Sequence, residues 1–251
     1  MNKSVYQQFY ELERDHWWFK GMRNMCLRMI TQYVPNKSEH RILDVGCGTG
    51  ELTRALVSFG VVTGADSSDE ALIFCRRRGL NKLVKTSAEC TPFGDNTFSL
   101  IIAFGLIEHL NNDQLFLKEM YRVLQPGGSL IILTSAFNFL WSEHDVVVHH
   151  KRRYRISELK IKFNSAGYKI RKISYVNFML FHFAVIRRIL SLFKVFNNRA
   201  YLGTPYVFRL NRLVNSFLYK VLNFETMLLT KINFTYGIGI LCVVQKGSLE
   251  S

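Results

Sequence analysis

A chain of 251 residues with 48% hydrophobic and 21% charged side chains has the make-up of a folded globular protein, long enough for one sizeable core with insertions and too short to need two. Its five cysteines carry no CxxC spacing, so the pattern suggests neither a zinc cage nor a disulfide framework and points to a reducing, cytoplasmic compartment. The net charge of +14 is concentrated at one end: residues 1–150 hold 15 Lys/Arg against 16 Asp/Glu, whereas residues 151–251 hold 18 against three, which calls for an anionic partner or is a solvated face.

The spacing of apolar residues predicts a helical segment over about 4–34, carrying the cluster His16-Trp17-Trp18-Phe19 and lacking the apolar core of an export signal. From His40 onward short apolar runs alternate with amphipathic stretches. The runs at 41–45, 61–65, 98–104 and 129–135 read as buried strands, and Glu51 to Phe59, Ser68 to Arg78 and Asp113 to Leu124 as helices. Ser67 or Ser68 and Asp113 are the expected N-caps, and Pro126-Gly127-Gly128 the turn that ends a helix. A helix near 156–166, a strand near 169–175, a long apolar and basic stretch to Lys231, and a last strand over 237–244 follow. The pattern predicts one α/β, doubly wound domain: an N-terminal helical cap (1–39), a core (40–175), a basic apolar helical insertion (176–235), and the last strand and tail (236–251).

The run ILDVGCGTG (42–50) puts Gly46, Gly48 and Gly50 directly after a strand and before a helix, where the backbone turns sharply and a ligand comes close. In the dinucleotide pattern GxGxxG the third glycine would fall on Glu51, whose carboxylate repels a pyrophosphate, so a ligand without phosphate fits better. Asp66 lies 20 residues beyond Gly46, Ser87-Ala88-Glu89-Cys90 precedes Thr91-Pro92-Phe93, and Phe104-Gly105-Leu106-Ile107-Glu108-His109-Leu110 follows the fourth strand. These segments, with residues 117–134, resemble the class I S-adenosylmethionine-dependent methyltransferases from about His40 to Ser135. The resemblance implies a Rossmann-like, mostly parallel seven-stranded sheet and S-adenosylmethionine as cofactor. It places the methionine portion against Asp44, Gly46, Cys47, Gly48 and Gly50, the ribose hydroxyls on Asp66 beside Ser67, and the adenine beside Ala88, Glu89 and Cys90, with Phe104 and Leu106 also on the cofactor. Ser87 stands where the family usually has Asp.

Methyl transfer is an in-line displacement, and a base is needed only for a poorly acidic hydroxyl. His109 competes for that role with a structural place beside the sheet. His144 and His149 lie in LWSEHDVVVHHKRRYR (140–155), after the fifth strand, where this fold opens its substrate mouth; a metal is not expected there, because no ligand set has a recognised spacing. ExxHWWF and LWSxHDxxxxHxRRY resemble methyltransferases encoded with bacterial cell-surface glycan and polyprenyl-phosphate genes. That resemblance implies an acceptor side of Trp18, Arg23, His150, Arg152, Arg153 and Tyr154, with Lys151, Arg152 and Arg153 gripping phosphate. Residues 173–186 are uncharged but too short to span a bilayer, while 178–196 suits an interfacial helix, with Phe178, Phe181, Ile189 and Leu192 in the headgroups and Arg187, Arg188 and Lys194 on anionic lipid. A cap over the cleft and a dimer surface are the alternatives. The expected function is methylation of a hydroxyl, or a carbon, on a small or lipid-linked, phosphorylated acceptor, by a cytoplasmic protein peripheral at the inner membrane face. The alternatives are an RNA methyltransferase, which the basic C-terminal third would serve, and a membrane-associated protein that binds cofactor without turnover.

Overall fold

The computed structural model describes residues 3–35, 39–192 and 209–248. Seven strands form one sheet: β1 (His40–Val45), β2 (Gly60–Asp66), β3 (Leu83–Lys85), β4 (Phe98–Phe104), β5 (Leu124–Ser135), β6 (Tyr168–Val176) and β7 (Gly239–Lys246), in spatial order β3-β2-β1-β4-β5-β7-β6. All pairings are parallel except those of β7, which runs antiparallel between β5 and β6. This is the Rossmann-like, mostly parallel seven-stranded α/β sheet. β1 and β4 read as continuous apolar runs because both faces of the central sheet are covered: Ile42, Leu43, Leu100, Ile101 and Ile102 are fully buried. The strand order reverses between β1 and β4, and there the carboxyl ends of neighbouring strands leave a crevice.

The helices are α1 (Lys3–Leu12), α2 (Trp17–Tyr33), α3 (Glu51–Leu56), α4 (Asp69–Arg77), α5 (Asp113–Val123), α6 (Glu143–Val147), α7 (Ile156–Ser165), α8 (Phe178–Leu192) and α9 (Arg212–Leu229). Several differ from the sequence expectation for physical reasons. The N-terminal segment is two helices, because His16 caps a new one, its ring nitrogen accepting from the Trp18 amide. Ser68 caps α4 as expected, but α5 is capped by Asn112, whose side-chain oxygen accepts from the Leu115 amide, and not by Asp113. β5 begins before the turn, at Leu124, which pairs with Phe98; Pro126-Gly127-Gly128 loops out before Ser129 resumes opposite Leu100. The last strand starts at Gly239, and β3 is a three-residue edge strand with no apolar run to announce it. Ser142 and Asp145 form a reciprocal capping box that starts the short α6.

Candidate functional site

The glycine loop joins β1 to α3 with left-handed backbone at Gly46 (φ 74°) and Gly48 (φ 55°), which a side chain would strain. A Cβ on Gly46 would come within 2.9 Å of Leu106, whereas one on Gly48 would meet nothing within 4 Å and would project into open space. That space is a cradle for a ligand. Asp66, at the end of β2, closes it: one carboxylate oxygen accepts from the Gly48 amide at 3.0 Å and the other from the Ser68 amide at 2.9 Å. Each oxygen keeps a lone pair for a vicinal diol. Burial raises the pKa of this carboxyl, and the amides oppose that rise.

Two pockets meet at the loop. A cavity of about 200 Å³ is bounded by Gly46, Asp66, Ser67, Ala88, Glu89 and Leu106. A larger one of about 360 Å³ is bounded by Asp44, Cys47, Gly48, Phe104, Trp18 and Arg23, among others, and Gly46 and His109 line both. The chain thus offers a polar nucleoside-sized compartment next to a wider, mostly apolar one. Asp44 in the larger cavity is buried; Thr53 donates to it at 2.6 Å, yet burial pushes its carboxyl up to about 7. Glu13, from the turn between α1 and α2, takes the Thr49 hydroxyl of the loop and the Arg78 guanidinium, and burial pushes it up to about 7 as well. Glu51, where a dinucleotide loop would have glycine, is buried and ringed by Arg23, Arg54 and Arg78; burial alone would raise it, but the three guanidinium groups hold it below its usual value. A cavity walled by these carboxyls favours a sulfonium and an ammonium over a pyrophosphate. The residues present therefore fit S-adenosylmethionine.

On the acceptor side, α6 and the turn after it carry a hydrogen-bonded chain. Asp145 is fully buried, and Arg153 grips it through Nε at 2.8 Å and Nη2 at 3.0 Å. Burial alone would raise its pKa, but bonds from His150, Arg153 and the Ser142 amide hold the carboxyl well below the usual carboxylate range. An oxygen of the ionised Asp145 lies 2.8 Å from His150 Nδ1 and fixes the ring, whose Nε2 is 4.0 Å from the Glu108 carboxyl. Glu108 is itself buried, takes the Thr134 hydroxyl at 2.8 Å, and is raised by burial. His109 packs edge-on against His150 with ring centroids 4.7 Å apart, and burial together with that neighbour lowers it to about 4, so it is neutral at neutral pH. Glu108, His109, His144 and His150 all line the larger cavity.

The predicted site residues divide into those the fold brings together and those it does not. Asp44, Gly46, Cys47, Gly48, Asp66, Ser67, Ala88, Glu89, Phe104 and Leu106 line one pocket or both, as do Trp18, Arg23, His109, His144 and His150. Gly50 does not: it turns the chain into α3, and a Cβ there would strike Leu80 and Cys75. Cys90 is exposed and lines neither pocket, although it bridges back to Ser87, which lines the smaller one. His149, at φ 61°, is exposed beyond the cavity wall. Arg152, Arg153 and Tyr154 are structural in place of gripping phosphate. Arg152 binds Asp113 and the carbonyls of Leu110 and Asn111, Arg153 is spent on Asp145 and the Ala136 carbonyl, and the fully buried Tyr154 donates to Asp113 at 2.8 Å. Lys151 binds Asn111 at the edge of the smaller pocket.

Sequence reasoning assigned no role to Glu13 or Asn177, and pointed to Glu108 and Asp145 only as neighbours of His109 and His144. The Ser142-x-x-Asp145 spacing is a capping signal that would have placed α6; the others have no local signature. Asn177 is 2% exposed, holds a left-handed backbone at φ 59°, lines the larger cavity, and has a side-chain oxygen with no partner. Among the described residues no group of three His, Cys, Asp or Glu side chains could hold a metal ion.

Comparison with known proteins agrees with this architecture. Residues 43–132 match the model of a methyltransferase domain. The chain is 31% identical over 184 residues to the ubiquinone/menaquinone biosynthesis C-methyltransferase UbiE of Pasteurella multocida, covering 62% of this chain and 68% of that one. It is 28% identical over 152 residues to the ubiquinone biosynthesis O-methyltransferase of Coxiella burnetii, covering 55% and 64%. Overall the chain spans about half to two thirds of the length of the curated relatives it matches. Among solved structures, a Haemonchus contortus phosphoethanolamine N-methyltransferase bound to S-adenosylmethionine superimposes with a TM-score of 0.59 at 17% identity, over 90% of this chain and 53% of that one, a likeness of fold. The chain belongs to the class I S-adenosylmethionine-dependent methyltransferases.

Proposed function

We propose that the protein transfers the cofactor's methyl group to a hydroxyl, or to a carbon made nucleophilic by a neighbouring hydroxyl, on an uncharged portion of a small or lipid-linked acceptor. One observation carries this reading: the buried Asp145 carboxylate orients the His150 imidazole in the wall of the cavity that reaches the glycine loop. When bound, S-adenosylmethionine supplies a methyl already activated on a sulfonium, so the chain's own work is positioning and proton removal. Gly48 and Asp66 hold the nucleoside end, and Asp44 faces the methionine end. His150 Nε2 takes the acceptor's hydroxyl proton, and the ionised Asp145 stabilises the imidazolium that results. One such base serves oxygen and carbon acceptors alike, since a phenolate directs its charge to either, and the matched relatives are named for both kinds of transfer. The unpartnered Asn177 oxygen is placed to receive a second donor from the acceptor.

An uncharged acceptor is favoured because four carboxyls, from Glu13, Asp44, Glu51 and Glu108, line the larger cavity, and Arg23 is the one Lys or Arg among its described lining residues. Arg23 already donates to the carbonyls of Glu13 and Arg14. A phosphate there would lack donors. The test is labelled-methyl transfer to hydroxylated aromatics, lipid extract and RNA. His150→Gln should lower turnover on the best hydroxylated acceptor by roughly 10²- to 10⁴-fold while leaving the affinity for S-adenosylhomocysteine unchanged. Full turnover by this variant, or transfer to RNA alone, would defeat the reading.

A further inference from the structure

Helix α9 buries Leu222, Glu225, Thr226 and Leu229 on one side. The opposite side should be polar in a helix that faces only water. Instead Leu213 (82% exposed), Phe217 (65%), Phe224 and Met227 fall on one stripe at helical spacing, with Lys220 inside it and Arg212 beside it. Helix α8 repeats the design with Phe183 (72% exposed), Ile186 and Leu190 on a stripe that also holds Arg187. Of the residues expected at a surface here, Phe178 and Phe181 turn inward, against Phe234 and Tyr236 and against Phe137, and Ile189 is exposed; the Leu192 side chain and Lys194 lie outside the described residues. The only acidic side chain between β6 and β7 is Glu225, and it is buried, accepting from the Met179 amide.

We propose that the exposed stripes of α8 and α9 seat the protein on an anionic phospholipid surface. Large apolar side chains interleaved with cations match the two parts of such a surface, acyl chains beneath and phosphates above. RNA would engage the cations but leave Leu213, Phe217 and Phe183 in water. A second copy would set cation against cation with no carboxylate between them. No helix among the described residues is long and apolar enough to cross a membrane, and α9 keeps one side buried against the protein, so on such a surface it would lie in the interface plane. Leu213, Phe217, Phe183 and Ile186 line neither pocket, so this inference stands independently of the acceptor's identity.

Flotation of the full chain with phosphatidylcholine vesicles, with and without phosphatidylglycerol, tests it. Binding should require phosphatidylglycerol and weaken with salt. Leu213→Ser/Phe217→Ser and, separately, Phe183→Ser/Ile186→Ser should each weaken it by roughly ten- to a hundred-fold, with S-adenosylhomocysteine affinity unchanged as the sign that the fold is kept. Arg212→Glu/Lys220→Glu should abolish the preference for phosphatidylglycerol. The proposal would be overturned by no binding to anionic vesicles at low salt, by binding that neither apolar pair alters, or by a dimer in the ultracentrifuge that Leu213→Ser/Phe217→Ser dissolves. Stronger retention on RNA than on vesicles would also overturn it.

Discussion

The two compartments on either side of Gly46 and His109 are built in different ways. The smaller one is made mostly from the ends of adjacent parallel strands: the glycine loop, the end of β2, the turn after β3 and the segment after β4, with Lys151 at its edge and main-chain amides of Gly48 and Ser68 aiming one carboxylate. The larger one is made from distant pieces, drawing Glu13 from the turn between α1 and α2, Trp18 from α2, Glu108 from the segment after β4, His150 from beyond α6 and Asn177 from the residue before α8. A site made of backbone tolerates changes in its surroundings, whereas one assembled from buried side chains fails when any supporting partner is lost. Evolution can therefore vary the second while keeping the first.

Substitutions can break that contrast. The largest expected effect outside turnover is at Asp66: Asp66→Ala should weaken S-adenosylhomocysteine binding by roughly 10²-fold or more, read by calorimetry, with little loss of thermal stability. The opposite balance is expected at Arg153. Arg153→Ala leaves Asp145 buried without its main counter-ion and should cost about 3–5 kcal/mol of unfolding free energy in a denaturant titration, with cofactor affinity retained in the protein that still folds. A variant that stays stable but loses acceptor affinity would return Arg153 to a binding role.

A pH titration sharpens the comparison further. Burial raises Asp44 and Glu13 to about 7 in the folded chain, whereas unfolded carboxyls ionise near about 4. Between those values the folded state holds more protons, so the stability these two groups contribute is present at low pH and is lost as pH rises through about 7. A cationic cofactor favours their ionised forms. S-adenosylmethionine should then bind more tightly as pH rises through this window and release protons, seen as a buffer-dependent binding heat that Asp44→Asn reduces. The smallest effect belongs to Cys90→Ser, which should change thermal stability by less than about 0.5 kcal/mol and leave cofactor affinity unchanged, since Cys90 is exposed and outside both pockets.

The alternation of apolar runs and amphipathic stretches, and the passage from Asp44 to Asp66, made the parallel core and the cofactor end legible, because glycine loop and carboxylate lie within one strand-helix-strand unit. The three-residue β3 was not visible, being too short to show a period. Arg152 and Arg153 read as free cations because a sequence displays charge without its partner; Asp113 and Asp145 absorb them only after folding. His150 stood in plain view among four histidines of similar chemistry, and nothing in their spacing singled it out. Local order along the chain determined the sheet, the glycine loop and the class of cofactor, since each depends on residues a few positions apart. Tertiary packing alone decided which histidine is oriented, which carboxyls are raised by burial and which apolar side chains are left facing outward, since each depends on what distant segments bring into or keep out of contact with water.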